Sequence, residues 1–277
     1  MFEQFYEFEE TPFSRDIPVE HLYPVPGQEE VLSRLAYAAK MRWFAVLTGE
    51  CGSGKSTIIR SLKDTLDGRG YRCMYIADSS LTPRHFYNGI LSQLGVEGKF
   101  YRGDSKRILQ RELEILTVLQ HITPVIIVDE AHLLEREMLE ELRFMLNVDV
   151  DSQSPMSLIL SGQPELKATL KRQSSLAISQ RVNIQCETRY LDVAQTKEYI
   201  LHQLRYAKSK SDIFSDEAIS QIQKYTYGSP REINKLCTQR FNEFNTAGQA
   251  SKIKKVIPLA DMAKLYAKGD LKQKIAG

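Results

Sequence analysis

An eight-residue glycine-rich motif constrains the fold of this chain more than any other feature of its sequence. Residues 49–56 read GECGSGKS and match the pattern GxxxxGKS/T. The motif follows a short apolar run at 44–49 that reads as a buried strand, and it opens a helical pattern at 55–66. Glycine lets backbone N–H groups curl around an anion that a Cβ would obstruct, and a helix N-terminus adds partial positive charge. The sequence therefore predicts a phosphate-binding loop, and not a glycine turn with an incidental lysine.

This loop also predicts which groups meet a nucleoside triphosphate and its Mg²⁺ ion. Lys55 can reach the outer phosphates and the Ser56 hydroxyl can ligate Mg²⁺, while backbone N–H groups hold phosphate oxygens. Cys51 is expected to be a spacer and not a nucleophile. The predicted nucleotide-binding residues of this segment are Gly49, Glu50, Cys51, Gly52, Ser53, Gly54, Lys55, Ser56 and Thr57.

Two adjacent carboxylates follow the apolar run PVIIV at 124–128. At the end of a buried strand, Asp129 would lie near the Mg²⁺ shell, and Glu130 near the outermost phosphate, where it can polarise a water for in-line attack. Acids also favour ordinary helix N-termini, but the phosphate loop upstream makes the catalytic interpretation the stronger one. His132 is expected to be a hydrogen-bonding or packing residue and not a metal ligand, since no second ligand is near it in sequence.

Apolar runs alternate with helical patterns over the first two thirds of the chain, which is typical of a parallel sheet flanked by helices. From about residue 190 only helical patterns remain. We therefore predict an N-terminal segment at 1–26, an α/β domain at 27–190 and a small all-helical domain at 191–277. The predicted strands are 44–49, 71–78, 124–132, 156–163 and 183–187. The predicted helices are 27–41, 55–66, 83–95, 105–121, 135–147, 192–208, 215–227, 230–246 and 258–268, with a polar, basic loop at 97–106.

Composition excludes several classes of protein. Hydrophobic residues make up 42% and charged residues 26%, as in soluble globular proteins, and no apolar run is long enough to span a bilayer. The start carries no secretory signal, and the four cysteines form no CxxC pair, so we expect a cytoplasmic protein without a zinc site or disulfide frame. The first 30 residues hold eight acids against one arginine, whereas residues 251–277 hold seven lysines against two acids. Such a basic tail could meet phosphate or simply be solvated.

The combined motifs resemble the AAA+ ATPases over about residues 5–245. Ser161-Gly162-Gln163 ends the strand after the acidic pair, where that family carries its polar sensor, and we favour Gln163 slightly over Ser161. Arg181 stands where the family presents an arginine finger to the neighbouring subunit. The segment GSPREIN at 228–234 resembles the second-sensor motif, with Arg231 reaching back from a helical lid.

The resemblance implies a P-loop NTPase that binds and hydrolyses ATP with Mg²⁺ in a homo-oligomer, either a ring or a filament. Glu130, Arg181, Arg231, Gln163 and Ser161 would then be catalytic. Arg181 could instead be a surface charge, because a single arginine is unspecific. Residues 12–14 (PFS) and 22–35 resemble the segment that borders the adenine in the ExeA-like branch of the family, which implies nucleotide contacts for Tyr23 and Val25.

Within that branch the chain is similar to the ATP-binding proteins that accompany DDE transposases, of the Mu B, TnsC, TniB and IstB type. This resemblance implies an ATPase that oligomerises on duplex DNA and delivers target sites to a DDE transposase. An ExeA-like secretion or cell-envelope ATPase and a DNA-replication loader are the alternatives. Backbone contacts to DNA need cations and little base reading. The candidates are Arg84, Lys99, Arg102 and Lys106, although each could be solvated surface charge.

Overall fold

The computed structural model describes residues 2–78, 80–146, 154–209 and 213–251. The predicted helix at 258–268 and most of the basic tail lie outside the described residues. The described chain divides into two compact units. One, the α/β unit, comprises residues 27–189, and the other, the helical unit, joins the N-terminal segment 1–26 to the chain from residue 190 onward.

Five parallel strands form the sheet of the α/β unit, as the sequence predicts. They are β1 (Phe44–Gly49), β2 (Tyr71–Ala77), β3 (Thr123–Asp129), β4 (Ser157–Gly162) and β5 (Val182–Thr188). Their spatial order is β2-β3-β4-β1-β5. All the residues of β1 and β4 are buried, because central parallel strands are covered on both faces.

Helices connect the strands and cover both faces of the sheet. They are α2 (Gln28–Met41), α3 (Lys55–Leu66), α4 (Pro83–Gln93), α5 (Arg102–Glu114), α6 (Arg136–Met145), α7 (Glu165–Leu170) and α8 (Leu176–Ser179), while α1 (Phe2–Tyr6) belongs to the N-terminal segment. A π-helical turn, Ile115–Leu119, extends α5, and a 3₁₀ turn, Ala131–Leu133, follows β3.

Alternate residues of the central strands pack into two separate cores. Phe44 and Val46 join the core under α4, α5 and α6, whereas Ala45 and Leu47 join the core under α2 and α3. Each fully buried aliphatic side chain contributes about 1.5–3 kcal/mol relative to an exposed one. The two cores therefore clamp the sheet and hold the ends of its strands in place.

The helical unit contains α9 (Val193–Tyr206), α10 (Asp216–Thr226) and α11 (Pro230–Ser251). Asp192 caps α9 in a reciprocal capping box with Gln195, which satisfies two free N–H groups of the first turn. The N-terminal segment packs into the same core as these helices. Its aromatic side chains surround Phe241 of α11, and the backbone N–H of Phe13 donates to Gln203 Oε1 at 2.9 Å.

Three boundary predictions were wrong, one of them the end of α11, which runs to Ser251 and not to residue 246. The helix predicted from residue 105 begins at Arg102, so part of the predicted loop 97–106 is helical. Ser105 explains the early start, because its hydroxyl donates to Asn88 Oδ1 at 2.7 Å and accepts from the Lys99 N–H at 2.8 Å. These bonds to α4 and to the loop fix the first turn of α5. The strand predicted at 124–132 ends at Asp129, where the chain turns sharply.

Candidate nucleotide-binding site

The segment between β1 and α3 folds as a tight loop around the Lys55 side chain. Gly52 and Gly54 have φ of 79° and 100°, the left-handed region that favours glycine. Lys55 is buried, and its ammonium donates to the carbonyls of Gly49 and Glu50 at 2.6 and 3.0 Å. The first helical bond of α3 runs from Ile58 N to Gly54 O, so the N–H groups of the first turn have no carbonyl of their own helix to bind.

Thr188 at the end of β5 fastens this loop from the side. Its Oγ1 lies 2.6 Å from Ser53 Oγ, which also donates to the Glu50 carbonyl at 2.7 Å. A Cβ on Gly49 would lie 1.9 Å from Thr188 Oγ1, which no side chain could tolerate. Glycine at 49 is therefore required by a neighbouring strand as well as by the phosphate that the loop is predicted to bind.

Asp129 ends β3 with three hydrogen-bond donors around its buried carboxylate. Oδ1 accepts from Ser161 Oγ at 2.7 Å and from the Glu130 N–H at 3.0 Å, and Oδ2 accepts from Tyr75 OH at 2.8 Å. Burial, then the hydrogen bond and charge of Asp129 and the charge of Glu130, raise the pKa of Tyr75, so the phenol stays a donor. A carboxylate offers about four lone-pair sites. One therefore remains for Mg²⁺ or for a water bound to it.

Glu130 follows with a left-handed backbone, φ 53°, which is uncommon outside glycine and asparagine. Its side chain is half exposed, and Oε2 lies 3.4 Å from Nδ1 of the almost buried His132. The Nε2 atom of His132 lies 3.0 Å from Nε2 of Gln163. Of the two sensor candidates, Ser161 therefore contacts Asp129, whereas Gln163 contacts His132, which in turn faces Glu130.

These residues lie together at the carboxyl ends of the strands. Strand β4 lies between β3 and β1, with Leu160 opposite Val128 and Ser161 opposite Leu47. Neighbouring strands are about 4.8 Å apart, which puts the ends of β3 and β1 about 10 Å from each other. The phosphate loop, Asp129, Glu130 and the sensor candidates thus line the carboxyl ends of adjacent parallel strands, where open α/β sheets bind ligands.

Arg181 lies at the opposite, amino-terminal end of the strands. It directly precedes β5, whose first residue Val182 pairs with Phe44, whereas the last residue Thr188 pairs with Gly49. Seven residues of strand at about 3.3 Å each span about 23 Å. An extended arginine side chain covers well under half of that distance. Arg181 therefore cannot reach the phosphate loop of its own chain.

The second-sensor candidate belongs to the helical unit. Arg231 is exposed in the first turn of α11. The turn before it is tightly packed, because a Cβ on Gly228 would lie 1.8 Å from the Leu191 carbonyl oxygen. Asn234, one turn further, accepts from Tyr199 OH at 2.7 Å. This packing orients the start of α11 within the helical unit.

Tyr23 and Val25, the predicted adenine contacts, also pack against the core of the helical unit. The Tyr23 ring meets Tyr199 and His202 of α9 edge-on, at centroid distances of 5.7 and 5.5 Å. Burial raises the pKa of Tyr23 and lowers that of His202. Their contact with nucleotide stays a prediction.

Two of the cations predicted to contact DNA are paired within the α/β unit. Lys106 Nζ lies 2.6 Å from Oε1 of the buried Glu141, and Arg102 Nη1 lies 2.7 Å from Glu137 Oε1. A phosphate would have to compete with these carboxylates. Both residues are therefore weaker candidates for DNA contact than the sequence indicated.

Arg84 and Lys99 are both exposed. The Arg84 guanidinium lies 4.5 Å from the centre of the Phe100 ring, and Tyr101 packs edge-on against Phe100 at 5.3 Å. Both aromatic side chains are 70% exposed. Exposed cations of this kind can contact backbone phosphates.

Three residues around the site were missed by the sequence reasoning or left without a functional role: Thr188, Tyr75 and His132. Thr188 and Tyr75 come from β5 and β2, far from the motifs in sequence, and no local pattern marks them. His132 was recognised only as a hydrogen-bonding or packing residue. Its place between two candidate catalytic side chains emerges only when β3 and β4 are paired.

The residues present fit a triphosphate with Mg²⁺. The glycine positions leave backbone where a Cβ would obstruct, the buried ammonium of Lys55 faces loop carbonyls, and Ser56 and Asp129 offer hydroxyl and carboxylate oxygens, the ligands that Mg²⁺ prefers. Ser56 is the second residue of α3, two positions after Gly54. We therefore assign ATP and Mg²⁺ to this edge of the sheet as a proposal.

Part of the chain matches a known family of domains. Residues 40–170 match the family AAA_22, described as AAA domain. The five-stranded parallel sheet flanked by helices has the fold of P-loop NTPases of the AAA+ type. The chain is related to general secretion pathway protein A of Aeromonas hydrophila, with 29% identity over 242 residues, which are 86% of this chain and 44% of that protein. The chain spans less than half the length of this relative.

Solved structures share the fold. Cdc6p from Pyrobaculum aerophilum superposes with a TM-score of 0.68 at 16% identity, covering 88% of this chain and 67% of that one. ORC1 of Aeropyrum pernix, solved in complex with DNA, gives a TM-score of 0.64 at 14% identity, covering 91% and 67%. At this identity the likeness concerns the fold alone. Within the described ranges, no helix has both the length and the apolar character that crossing a bilayer requires.

Proposed function

We propose that this protein is a Mg²⁺-dependent ATPase that assembles on duplex DNA. The observation that carries the ATPase is the convergence of the loop around Lys55 with Asp129 and Glu130 at one sheet edge. A bound Mg²⁺ would neutralise charge that develops on the phosphates. Lys55 exchanges its loop carbonyls for phosphate oxygens, Glu130 accepts the proton of the attacking water, and the helix N-terminus of α3 holds the transferred group.

The position of Arg181 favours a site shared between two copies of the chain. Because Arg181 cannot reach its own phosphate loop, it can stabilise transition-state charge only in a neighbouring subunit. An arginine supplied in this way can raise the turnover number by about 10³–10⁵-fold. An isolated subunit is then a slow ATPase, and turnover rises with assembly.

DNA would supply the surface on which subunits assemble. Among the described residues, Arg84 and Lys99 are exposed cations that suit the backbone phosphates of a duplex. Delivery of target sites to a DDE transposase is the role we propose for such an assembly.

The primary test measures ATP hydrolysis with and without duplex DNA over a range of protein concentrations. We expect turnover per subunit to rise with concentration and with DNA, and Lys55→Ala to abolish nucleotide binding. Turnover that is independent of both would contradict assembly. No hydrolysis at any concentration would contradict the ATPase itself.

The DNA surface is tested through the salt dependence of binding. The double variant Arg84→Ala/Lys99→Ala should flatten the slope of log affinity against log salt by about two, since each phosphate contact contributes about one unit. The control Lys40→Ala/Arg69→Ala removes the same charge from exposed positions elsewhere in the α/β unit. Equal slopes for the two double variants would contradict the assigned surface.

A secretion or cell-envelope ATPase is the second candidate, favoured by the relationship to general secretion pathway protein A. The shared region is less than half of that protein, so it concerns the ATPase module and leaves its partner open. Absence of DNA binding, together with ATP-dependent binding to envelope components, would favour this candidate. ATP-dependent filaments or rings on duplex DNA, seen by electron microscopy, would favour the first.

A further inference from the structure

The imidazole of His132 joins two side chains that the proposed function places in catalysis, and the inference drawn here rests on that function. Its Nδ1 faces Glu130 Oε2 at 3.4 Å, and its Nε2 faces the side-chain amide nitrogen of Gln163 at 3.0 Å. The ring is almost buried, with 10% of its side chain exposed. His132 therefore spans the gap between the end of β4 and the turn after β3.

Hydrogen-bond chemistry selects one tautomer for this arrangement. An amide nitrogen only donates, so Nε2 of His132 must accept from Gln163, and the proton of the neutral ring must lie on Nδ1. Nδ1 lies 3.4 Å from Glu130 Oε2, so a proton on Nδ1 can be donated to that carboxylate. The two contacts agree: Gln163 donates to His132, and His132 donates to Glu130.

A second pattern competes with the first. The backbone N–H of Gln163 lies 3.4 Å from the same Nδ1 of His132, and it can donate there only when Nδ1 carries no proton. The proton would then lie on Nε2, and the Gln163 amide would have to present its oxygen. In that pattern the bond to Glu130 is lost. Orientation of the Gln163 amide thus decides whether His132 holds the Glu130 carboxylate.

The turn that carries His132 is rigid. Leu133 N donates to Glu130 O at 2.9 Å and Leu134 N to Ala131 O at 3.2 Å. On the other side, a Cβ on Gly162 would lie only 3.0 Å from the backbone nitrogen of His132, so β4 and the turn are in close contact. The Glu130 carboxylate, in contrast, is half exposed. A rigid ring can therefore restrict a side chain that would otherwise sample several rotamers.

We propose that His132 is a positioning residue that orients Glu130 for water activation and couples this orientation to the state of Gln163. It does not touch substrate and transfers no proton in this role. Its contribution falls on the turnover number, because Glu130 acts in the chemical step and not in nucleotide binding.

The first experiment compares kcat, KM and nucleotide affinity for His132→Ala and His132→Asn. We expect His132→Ala to lower kcat by about ten- to a hundred-fold, the size of effect that misplaced catalytic groups produce, with KM and nucleotide affinity within two-fold of wild type. His132→Asn keeps an N–H donor near the position of Nδ1 and should recover part of kcat. Unchanged or raised kcat in His132→Ala would overturn the proposal.

Coupling is tested by a double-mutant cycle. If His132 acts between Gln163 and Glu130, the double variant His132→Ala/Gln163→Ala should have a kcat close to that of whichever single variant has the lower kcat. Fully multiplicative losses would overturn the coupling. A loss of nucleotide affinity and melting temperature in parallel with kcat, without recovery in His132→Asn, would show a merely structural residue.

Nitrogen NMR of the histidine rings provides a readout that does not depend on hydrolysis. The signal of His132 is assigned by its loss in His132→Asn. We expect the neutral Nδ1–H tautomer in the wild type and a changed ring signal in Glu130→Gln and in Gln163→Ala. A predominant Nε2–H tautomer would overturn the proposal. If the wild type showed no hydrolysis, the proposed function would fail, while this measurement would still test the contacts of His132.

Discussion

Tyr75 supports the candidate metal site without touching the phosphate loop. It donates to Asp129 Oδ2 at 2.8 Å, while Ser161 and the Glu130 backbone serve Oδ1. The phenol therefore limits which directions remain open around the carboxylate. Because the pKa of Tyr75 is raised, this donor is present throughout the neutral range.

We expect Tyr75→Phe to raise the Mg²⁺ concentration needed for half-maximal hydrolysis by a few-fold. Loss of one hydrogen bond to a charged group corresponds to about 1.5–3 kcal/mol, only part of which concerns the metal, since the carboxylate can rotate. A Mg²⁺ titration of ATPase activity measures the shift. Tyr37→Phe, on the exposed face of α2, is the matched control. Identical Mg²⁺ curves for all three proteins would refute the role of Tyr75.

The parts of the candidate site that are contiguous in the sequence could be predicted from it. A local sequence pattern predicts the loop 49–56 and the pair Asp129–Glu130, because each directly follows an apolar strand. Thr188 and Tyr75 could not be found in this way. Each reaches the site from another strand, and a single threonine or tyrosine at a strand end carries no local signal.

At the scale of elements, Glu141 of α6 joins three helices beneath the sheet. Its carboxylate accepts from Tyr87 of α4 and from Lys106 of α5, and Arg102 lies 4.0 Å away. Burial alone would raise the pKa of Glu141, but these hydrogen bonds and the charges of Lys106 and Arg102 outweigh it and hold the pKa below its ordinary value of 4.5. Glu141 therefore stabilises the folded state as a carboxylate.

A depressed carboxyl pKa gives stability that is fully present above the unfolded value and is lost as pH falls through the folded one. We expect Glu141→Gln to lower the free energy of unfolding by about 1–3 kcal/mol at pH 7, since it leaves the Lys106 ammonium without its carboxylate. Below pH 4.5 the difference from wild type should shrink. Urea unfolding at pH 7, 5 and 3.5 measures both effects.

The control for this prediction is Glu137→Gln, which removes a carboxylate that is 67% exposed from the same helix. Exposed pairs contribute little, so its effect at pH 7 should be the smaller of the two. A gap between Glu141→Gln and wild type that stays constant with pH would contradict the assigned linkage.

The elements themselves were predictable where their pattern was long enough. All five strands lie within three residues of the predicted ones, because apolar runs bounded by glycine or acids are unambiguous. The helices α7 and α8 were missed, since six and four residues do not complete a recognisable period. The start of α5 was misplaced because it depends on Ser105 bonding to another helix.

In the whole molecule, Arg181 and the phosphate loop lie at opposite ends of the parallel strands. Arg181 is separated from Gly49 by the full length of β5. The phosphate loop and Glu130 lie at the carboxyl ends of the strands, whereas Arg181 lies where β5 begins. Under the proposed function, a chain with this arrangement would hold two incomplete half-sites, and another copy of the chain would complete each of them.

Mixing two inactive variants tests this arrangement directly. Arg181→Ala keeps an intact phosphate loop and Glu130, whereas Glu130→Gln keeps an intact Arg181. Each variant alone should lose turnover by about 10²-fold or more, the loss expected for a missing general base or arginine finger, while binding nucleotide normally. An equal mixture should recover about a quarter of wild-type turnover, because random neighbours pair an intact Glu130 with an intact Arg181 at one interface in four.

The matched control is Arg172→Ala, an exposed arginine that precedes α8 in the same connection. It should keep wild-type turnover alone and add nothing beyond dilution when it is mixed with Glu130→Gln. If the mixture of Arg181→Ala and Glu130→Gln stays as inactive as its components, while both variants still assemble with nucleotide and DNA, then Arg181 does not act between subunits. Because the length of β5 already prevents it from acting within its own chain, the arginine would then have no part in hydrolysis.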